Sequence, residues 1–171
     1  DGRGRLNVAY FQSDYSDVQV STFDGNATFV VGNAAEAEVS GLEADLEYAI
    51  SDALTMRLAA SYLDAKYGSF PGAACNEDQR LAQPQGCTQD LSGQPLQFAP
   101  EYSFNFGLRY ETAITDGMNL GLSADYNWQD DTVVANDLDP EGIQKAYGKL
   151  NAAINLTDKD DTWRVSLIGT N

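Results

Sequence analysis

The alternation of apolar and polar residues along the chain has a period of two over most of its length, the pattern of β-strands with two unlike faces. From Gly41 to Ile50, the residues Leu42, Ala44, Leu46, Tyr48 and Ile50 alternate with Glu43, Asp45 and Glu47. After a break at Ser51-Asp52-Ala53, Leu54, Met56, Leu58, Ala60 and Tyr62 alternate with Thr55, Arg57, Ala59 and Ser61. The same holds for Tyr102, Phe104, Phe106, Leu108 and Tyr110, and again for Met118, Leu120, Leu122, Ala124, Tyr126 and Trp128. Leu150, Ala152, Ile154 and Leu156 form another such face, and Trp163, Val165 and Leu167 a last one. Near the start, Leu6, Val8 and Tyr10 alternate with Arg5, Asn7 and Ala9. The chain continues through Val18 and Val20, which are expected to pair with Thr28–Val31. The Ala-rich stretch Asn33–Glu38 has no apolar stripe and reads as a continuing strand. The pattern predicts roughly seven strands and no helix.

Two regularities go beyond an all-β reading. The apolar face of each strand is free of charge, whereas Glu43, Asp45, Glu47, Arg57, Arg109, Glu111, Asp125, Lys149 and Arg164 all fall on the other face. The connections also alternate in length. Short ones at 51–53, 113–117 and 158–161 trade places with longer ones at 22–27, 68–97 and 130–145. Strands of about ten residues rise roughly 33 Å, and a tilt of about 45° leaves a vertical span near 23 Å, close to the apolar band of an outer-membrane barrel. Aromatic residues bracket that span. Tyr62, Tyr102, Tyr126 and Trp128 lie beside the long connections, and Tyr48, Tyr110 and Trp163 beside the short ones. Tyr and Trp carry an apolar body and a polar tip, which suits them to the two membrane interfaces. A soluble β-sandwich also alternates, but has no reason to alternate its turn lengths or to put aromatics at both ends of an apolar face.

Composition agrees. The 171 residues carry 10 Lys+Arg against 26 Asp+Glu, a net charge of −16, which excludes nucleic acid as a partner. There is no His, so Ser–His–Asp, Cys–His and zinc–His chemistries are absent and no enzyme is expected. No apolar run approaches the roughly 20 residues of a membrane helix. A barrel needs none, because its strands give every other residue to the lumen.

Several segments resemble the C-terminal barrel of TonB-dependent outer-membrane receptors. They are Asn7–Val20, Val31–Glu43, Tyr62–Tyr67, Leu91–Leu96 with Ala99–Ser103, and Trp163–Asn171, matching in order and spacing over nearly the whole chain. The resemblance implies an antiparallel up-and-down transmembrane segment of a 22-stranded barrel. It also implies an N-terminal plug and the TonB complex as partners, outer-membrane lipid around the barrel, and uptake of a scarce nutrient such as a ferric siderophore. On this reading residues 1–171 form a partial barrel domain, about a third of the whole. The plug, the TonB box and the terminal strands lie outside these limits, and 68–97 and 130–145 are long extracellular loops. A passive porin-type barrel is the nearest alternative. Inward positions such as Asn105, Gly107, Asn119, Gly121, Ser123 and Asn155 are short or hydrophilic, as a wide lumen requires.

Few side chains invite chemistry. Cys75 and Cys87 lie in the longest loop and read as a disulfide in an oxidising compartment. Asn136-Asp137-Leu138-Asp139-Pro140-Glu141-Gly142 is acidic enough for calcium, but Pro140 and Gly142 favour a turn. Asp130-Asp131 reads as a solvated loop start. Glu43, Asp45 and Glu47 either pair with Arg57 on the next strand or face a plug or pore. Tyr67, Phe70 and Phe98 either stack on a ring-bearing ligand or pack the loop. No catalytic, metal-binding or cofactor-binding residue is expected, and the ligand-binding residues are not identifiable from the sequence.

Overall fold

The computed structural model describes residues 2–23, 29–83 and 85–171. Seven long strands form one antiparallel sheet: β1 (Gly4–Phe23), β2 (Phe29–Ala49), β3 (Leu54–Ser69), β6 (Tyr102–Thr115), β7 (Met118–Gln129), β10 (Tyr147–Asp158) and β11 (Arg164–Gly169). Their order in the sheet is their order in the chain, an up-and-down meander. Two short hairpins stand apart, β4 (Ala73–Ala74) with β5 (Thr88–Gln89), and β8 (Thr132–Val133) with β9 (Ile143–Gln144). No second large sheet packs on the first among the described residues, so the chain is not a sandwich.

The register turns the period-two pattern into continuous rows. Leu6, Leu46, Leu58, Phe106, Tyr126 and Leu150 stand opposite one another across six strands. The next row on the other face is Arg5, Glu47, Arg57, Gly107, Asp125 and Asn151. Over the apolar rows this face is uncharged, and its Leu6, Val8, Leu42, Leu150, Ile154 and Leu167 are exposed; towards the long connections the same face carries Asp14, Glu38, Asp64 and Lys66. Among the described residues nothing covers it, as expected of a surface whose solvent is lipid. Rings flank the aliphatic rows. Phe104 stacks on Trp128 at 5.5 Å and lies 5.9 Å from Tyr126, while Tyr62 and Tyr102 lie 5.2 Å apart. At one place a ring needs the absence of a side chain: a Cβ on Gly148 would collide with the Tyr126 hydroxyl.

The buried core is not between layers of sheet. Val20, Tyr67, Phe70, Ala73 and Leu91 form a cluster at the long-connection end, with Val18, Leu96 and Leu138 packed against it. A bulge brings β1 into it. Tyr15 faces Ala37, but Val18 faces Ala35, so β1 holds one extra residue, and Asp17 takes a φ of 56°. An extra residue reverses which positions point inward. Below the bulge the inward residues of β1 are odd-numbered; above it they are Val18 and Val20.

Four expectations need correction. Val20 pairs with Gly32 and Val18 with Ala35, so the register of this hairpin differs from the Thr28–Val31 pairing. The connection expected at 22–27 is shorter at its start, because β1 runs to Phe23; residues 24–28 lie outside the described residues. A helix does form, α1 (Glu77–Ala82), set by a capping box between Asn76 and Gln79. Its six residues are too few for an apolar stripe, which is why periodicity missed it. The stretch 68–97, expected only as a long loop, has regular pairing of its own as well. Its last part returns along β3: the amide of Tyr67 donates to Gln94, that of Leu96 to Ala65 and that of Gly93 to Tyr67. β6 pairs with β3 only as far as Tyr62, so this strap covers the β3 edge that β6 leaves open.

Candidate functional site

The polar face is concave. Asn7 on β1 and Lys149 on β10 line one trough of 610 Å³, although five strand spacings would put them about 24 Å apart on a flat sheet. The curl follows from the residues on each face. Outward positions carry Leu, Phe, Tyr and Trp, and inward positions carry Ala, Ser, Asn and Gly, so the inner face is the narrower one. A smaller, more polar hollow of 420 Å³ lies towards the short-turn end, between Arg109, Glu111, Asn155 and Arg164.

Within the trough most polar groups satisfy one another across the ladder. Asn7 donates to the Asp45 carboxylate at 2.6 Å, Asn105 donates to the Asn127 carbonyl at 2.7 Å, and the Ser61 and Ser103 hydroxyls lie 2.7 Å apart. Glu47 takes Arg57 at 3.4 Å and Arg5 at 3.8 Å. The structure divides the acidic run on β2. Glu47 is an ion-pair partner, whereas Glu43 and Asp45 line the trough. No arrangement here offers a nucleophile beside a base, and no group of His, Cys, Asp and Glu among the described residues is placed to hold a metal ion.

At the long-connection end the two long segments fold into one mat. Cys75 and Cys87 are joined in a disulfide with Cα atoms 5.8 Å apart, directly beside the β4–β5 pairing. Gln89 donates to the Ala74 carbonyl at 2.6 Å and to the Asp137 carbonyl at 2.7 Å, tying the first segment to the second. The amide of Phe98 donates to Val133 at 2.8 Å, a second tie. The mat leans over the concave side, because Ala37, Ala65 and Tyr67 share the inward face of Glu43 and Ser61 and are buried beneath it. Tyr67 and Phe70 are 2% and 1% exposed with ring centroids 5.0 Å apart, so they pack the mat and offer no face to a ligand. Burial also pushes the Tyr67 phenol above its ordinary pKa. Phe98 is the opposite case, 64% exposed and held at a φ of 57°.

The acidic segment 136–142 forms a turn. Asp139 caps the short 3-10 helix Pro140–Gly142 by accepting the Glu141 amide, and Asp137 accepts the Asp139 amide. The carboxylates thus meet backbone donors. Asp130 likewise accepts the amide of Asp131. Sequence reasoning passed over Asn127, Gln129 and Tyr147, which join Lys149 at the upper end of the trough. Only their inward parity marked them, and parity alone does not separate them from other polar strand positions.

Residues 1–171 match the family model for the TonB dependent receptor-like β-barrel along their whole length. The chain belongs to the TonB-dependent receptor β-barrel family. Solved structures of similar fold include the ferric yersiniabactin uptake receptor FyuA from Yersinia pestis, 14% identical with a TM-score of 0.74 over 100% of this chain and 22% of that one. The siderophore receptor PiuA from Acinetobacter baumannii is 19% identical with a TM-score of 0.63, covering 97% of this chain and 21% of that one. The ferric preacinetobactin receptor BauA from the same organism is 13% identical with a TM-score of 0.64, covering 98% and 22%. The chain spans about a fifth of the length of these receptors. The family is one of receptors, not enzymes.

Proposed function

We propose that this chain is a wall segment of an outer-membrane transporter that imports a scarce nutrient, such as a ferric siderophore, with energy delivered by TonB. The observation that carries the reading is the pairing of an exposed outer face, uncharged along its apolar rows, with a concave polar face in a chain that matches the receptor barrel throughout. The names of FyuA, PiuA and BauA support a siderophore as the cargo. In this reading lipid surrounds the outer face, and the plug domain of the same protein fills much of the lumen. The segments 68–97 and 130–145 form part of the outer mouth. The trough then supplies wall contacts to the plug and to the entering molecule, and the short turns face the periplasm.

The test uses the full-length receptor in cells lacking their own iron receptors. Radioactive iron presented as a siderophore complex should accumulate in cells with TonB and not in cells without it. Equal accumulation in both strains would mean passive permeation and would overturn the energised reading.

A further inference from the structure

Four neighbouring strands gain residues at nearly the same height of the wall. On β1, Ser16 and Asp17 together oppose Glu36 of β2, since Tyr15 faces Ala37 and Val18 faces Ala35. On β2 the extra residue is Ala34, skipped between the pairs Val18–Ala35 and Gln19–Asn33. On β3 it is Gly68, skipped between Ala37–Tyr67 and Glu36–Ser69. The chain on the other side of β3 departs further. Tyr62 faces Tyr102 and Lys66 faces Pro95, so four steps along β3 correspond to seven on its neighbour, and three residues are extra. Glu36 is the centre of the pattern, because the first three irregularities lie beside it or within two residues of it.

An extra residue lengthens a strand locally, which bends it and tightens its twist. A single bulge is resisted by straight neighbours. Bulges in adjoining strands at one height let those strands turn together, as a sheet does along a fold line. Asp17 holds a φ of 56°, in the left-handed region that Asp tolerates better than most side chains. Tyr67, the last inward residue of β3 before Gly68, is five residues beyond Tyr62, so the line runs outside the apolar band. What it directs is visible in the packing. Beyond it Val20 is 5% exposed, in one cluster with Tyr67, Phe70, Ala73 and Leu91, and Val18 packs against that cluster. Gln19, between them in the chain and on the other side of the strand, is exposed.

We infer that the extra residues form one crease across the wall, beyond which residues 18–23 and 29–33 are folded inward as a fixed roof seated on the mat. The slope of this roof is set by strand geometry and not by a mobile loop. Its place over the mouth rests on the uptake reading; the crease itself does not. Removing Asp17, Ala34 and Gly68 together restores plain alternation and keeps Val18 and Val20 on their present face. The triple deletion therefore takes out the bend without turning the side chains over.

Val20→Cys and Gln19→Cys are made in the full-length receptor in detergent, and their maleimide labelling rates are read by peptide mass spectrometry. Cys75 and Cys87 are bridged and do not react. With the crease intact, Val20→Cys should label at least about tenfold more slowly than Gln19→Cys, since it must wait for the roof to lift. In the triple deletion its rate should approach that of Gln19→Cys. Asp17→Val serves if the triple deletion fails to insert. A β-branched side chain is penalised at a positive φ, so there the labelling of Val20→Cys should rise about tenfold, whereas Asp17→Gly should leave it unchanged. The inference is overturned by a Val20→Cys as reactive as Gln19→Cys in the unaltered wall, by one that stays shielded in the triple deletion, or by equal rates in Asp17→Val and Asp17→Gly. Should iron accumulation lose its TonB dependence while Val20→Cys stays shielded, the uptake reading fails and the crease stands.

Discussion

Leu58 stands midway along the outer face of β3, opposite Leu46 on one side and Phe106 on the other. Phe106 in turn lies halfway between Tyr102 and Tyr110 of β6, so this row is the middle of the apolar band. In the proposed membrane setting a charge there would meet hydrocarbon and no partner. Leu58→Arg should destabilise the receptor by about 2–4 kcal/mol, the midplane cost in outer-membrane barrels. Thr55→Arg, on the inward face of the same strand, should cost far less. Denaturant titration of the refolded receptor in lipid vesicles compares the two. At the short-turn end, outside the band, Asp158 closes the β10–β11 turn by accepting the Thr162 hydroxyl at 2.6 Å and the Trp163 amide at 3.0 Å. These bonds, the Thr162 hydroxyl first, hold its carboxyl below the ordinary carboxylate range. A depressed folded-state pKa means that the stabilisation is complete above the unfolded value of about 3.9 and fades as the pH falls through the folded one. The Trp163 amide should therefore exchange faster as acid is added through that window, after correction for the intrinsic rate. In Asp158→Asn that pH dependence should vanish.

At the scale of elements, legibility followed the length of the repeating pattern. β3, β6 and β7 repeat it often enough to fix type, face and approximate ends. Their inward and outward residues are the ones that alternation names, from Leu54 to Tyr62 and from Met118 to Trp128. Below ten residues the signal is local chemistry instead. Asn76-Glu77-Asp78-Gln79 is a capping box, and it alone announced α1. The β4–β5 and β8–β9 hairpins have two-residue strands, too short for any period. The bulge at Asp17 was invisible because the polar residues around it, Ser13, Asp14, Ser16 and Asp17, carry no apolar phase to break. The trough was legible as an inward polar face but not as a set of partners, since Asn7 and Asp45, or Asn105 and Asn127, meet only through register. The loop mat allows a prediction at this scale. Its disulfide closes a short loop, worth roughly 3 kcal/mol in the chain-entropy model. Cys75→Ser with Cys87→Ser should speed hydrogen exchange in α1 and the β4–β5 hairpin markedly. Protection at Tyr67, Gly93 and Leu96 should persist, because the strap is held by β3 itself. Loss of protection in both regions together would show that the strap depends on the bridge.

As a whole, residues 1–171 form an open wall. Among the described residues β1 and β11 each have one neighbour in the seven-strand sheet, so each leaves a row of backbone donors and acceptors without a strand partner. The outer face adds exposed apolar side chains, with Leu167 72% and Leu6 64% accessible. Unpaired edges and a broad apolar surface both drive association in water. Residues 1–171 alone, refolded in detergent-free buffer, should sediment as large assemblies; a stable monomer would contradict the barrel-wall description. The mat is the exception to this dependence on missing neighbours, since its cluster and its hydrogen bonds close upon themselves. Its narrow neck has a practical meaning. Leu91 bonds back to Phe70, and Cys75 and Cys87 bring their Cα atoms within 5.8 Å, so the chain between the cysteines leaves and re-enters at one point. Lengthening a segment with such fixed ends costs little, since closure entropy grows only with the logarithm of its length. An epitope tag spliced in after Ala82 should leave assembly of the wall intact and be bound by antibody on whole cells. The same tag in the turn at Asp116 should stay hidden. The neck makes this excursion an interchangeable cassette, free to diversify in length and sequence while the wall beneath keeps its register.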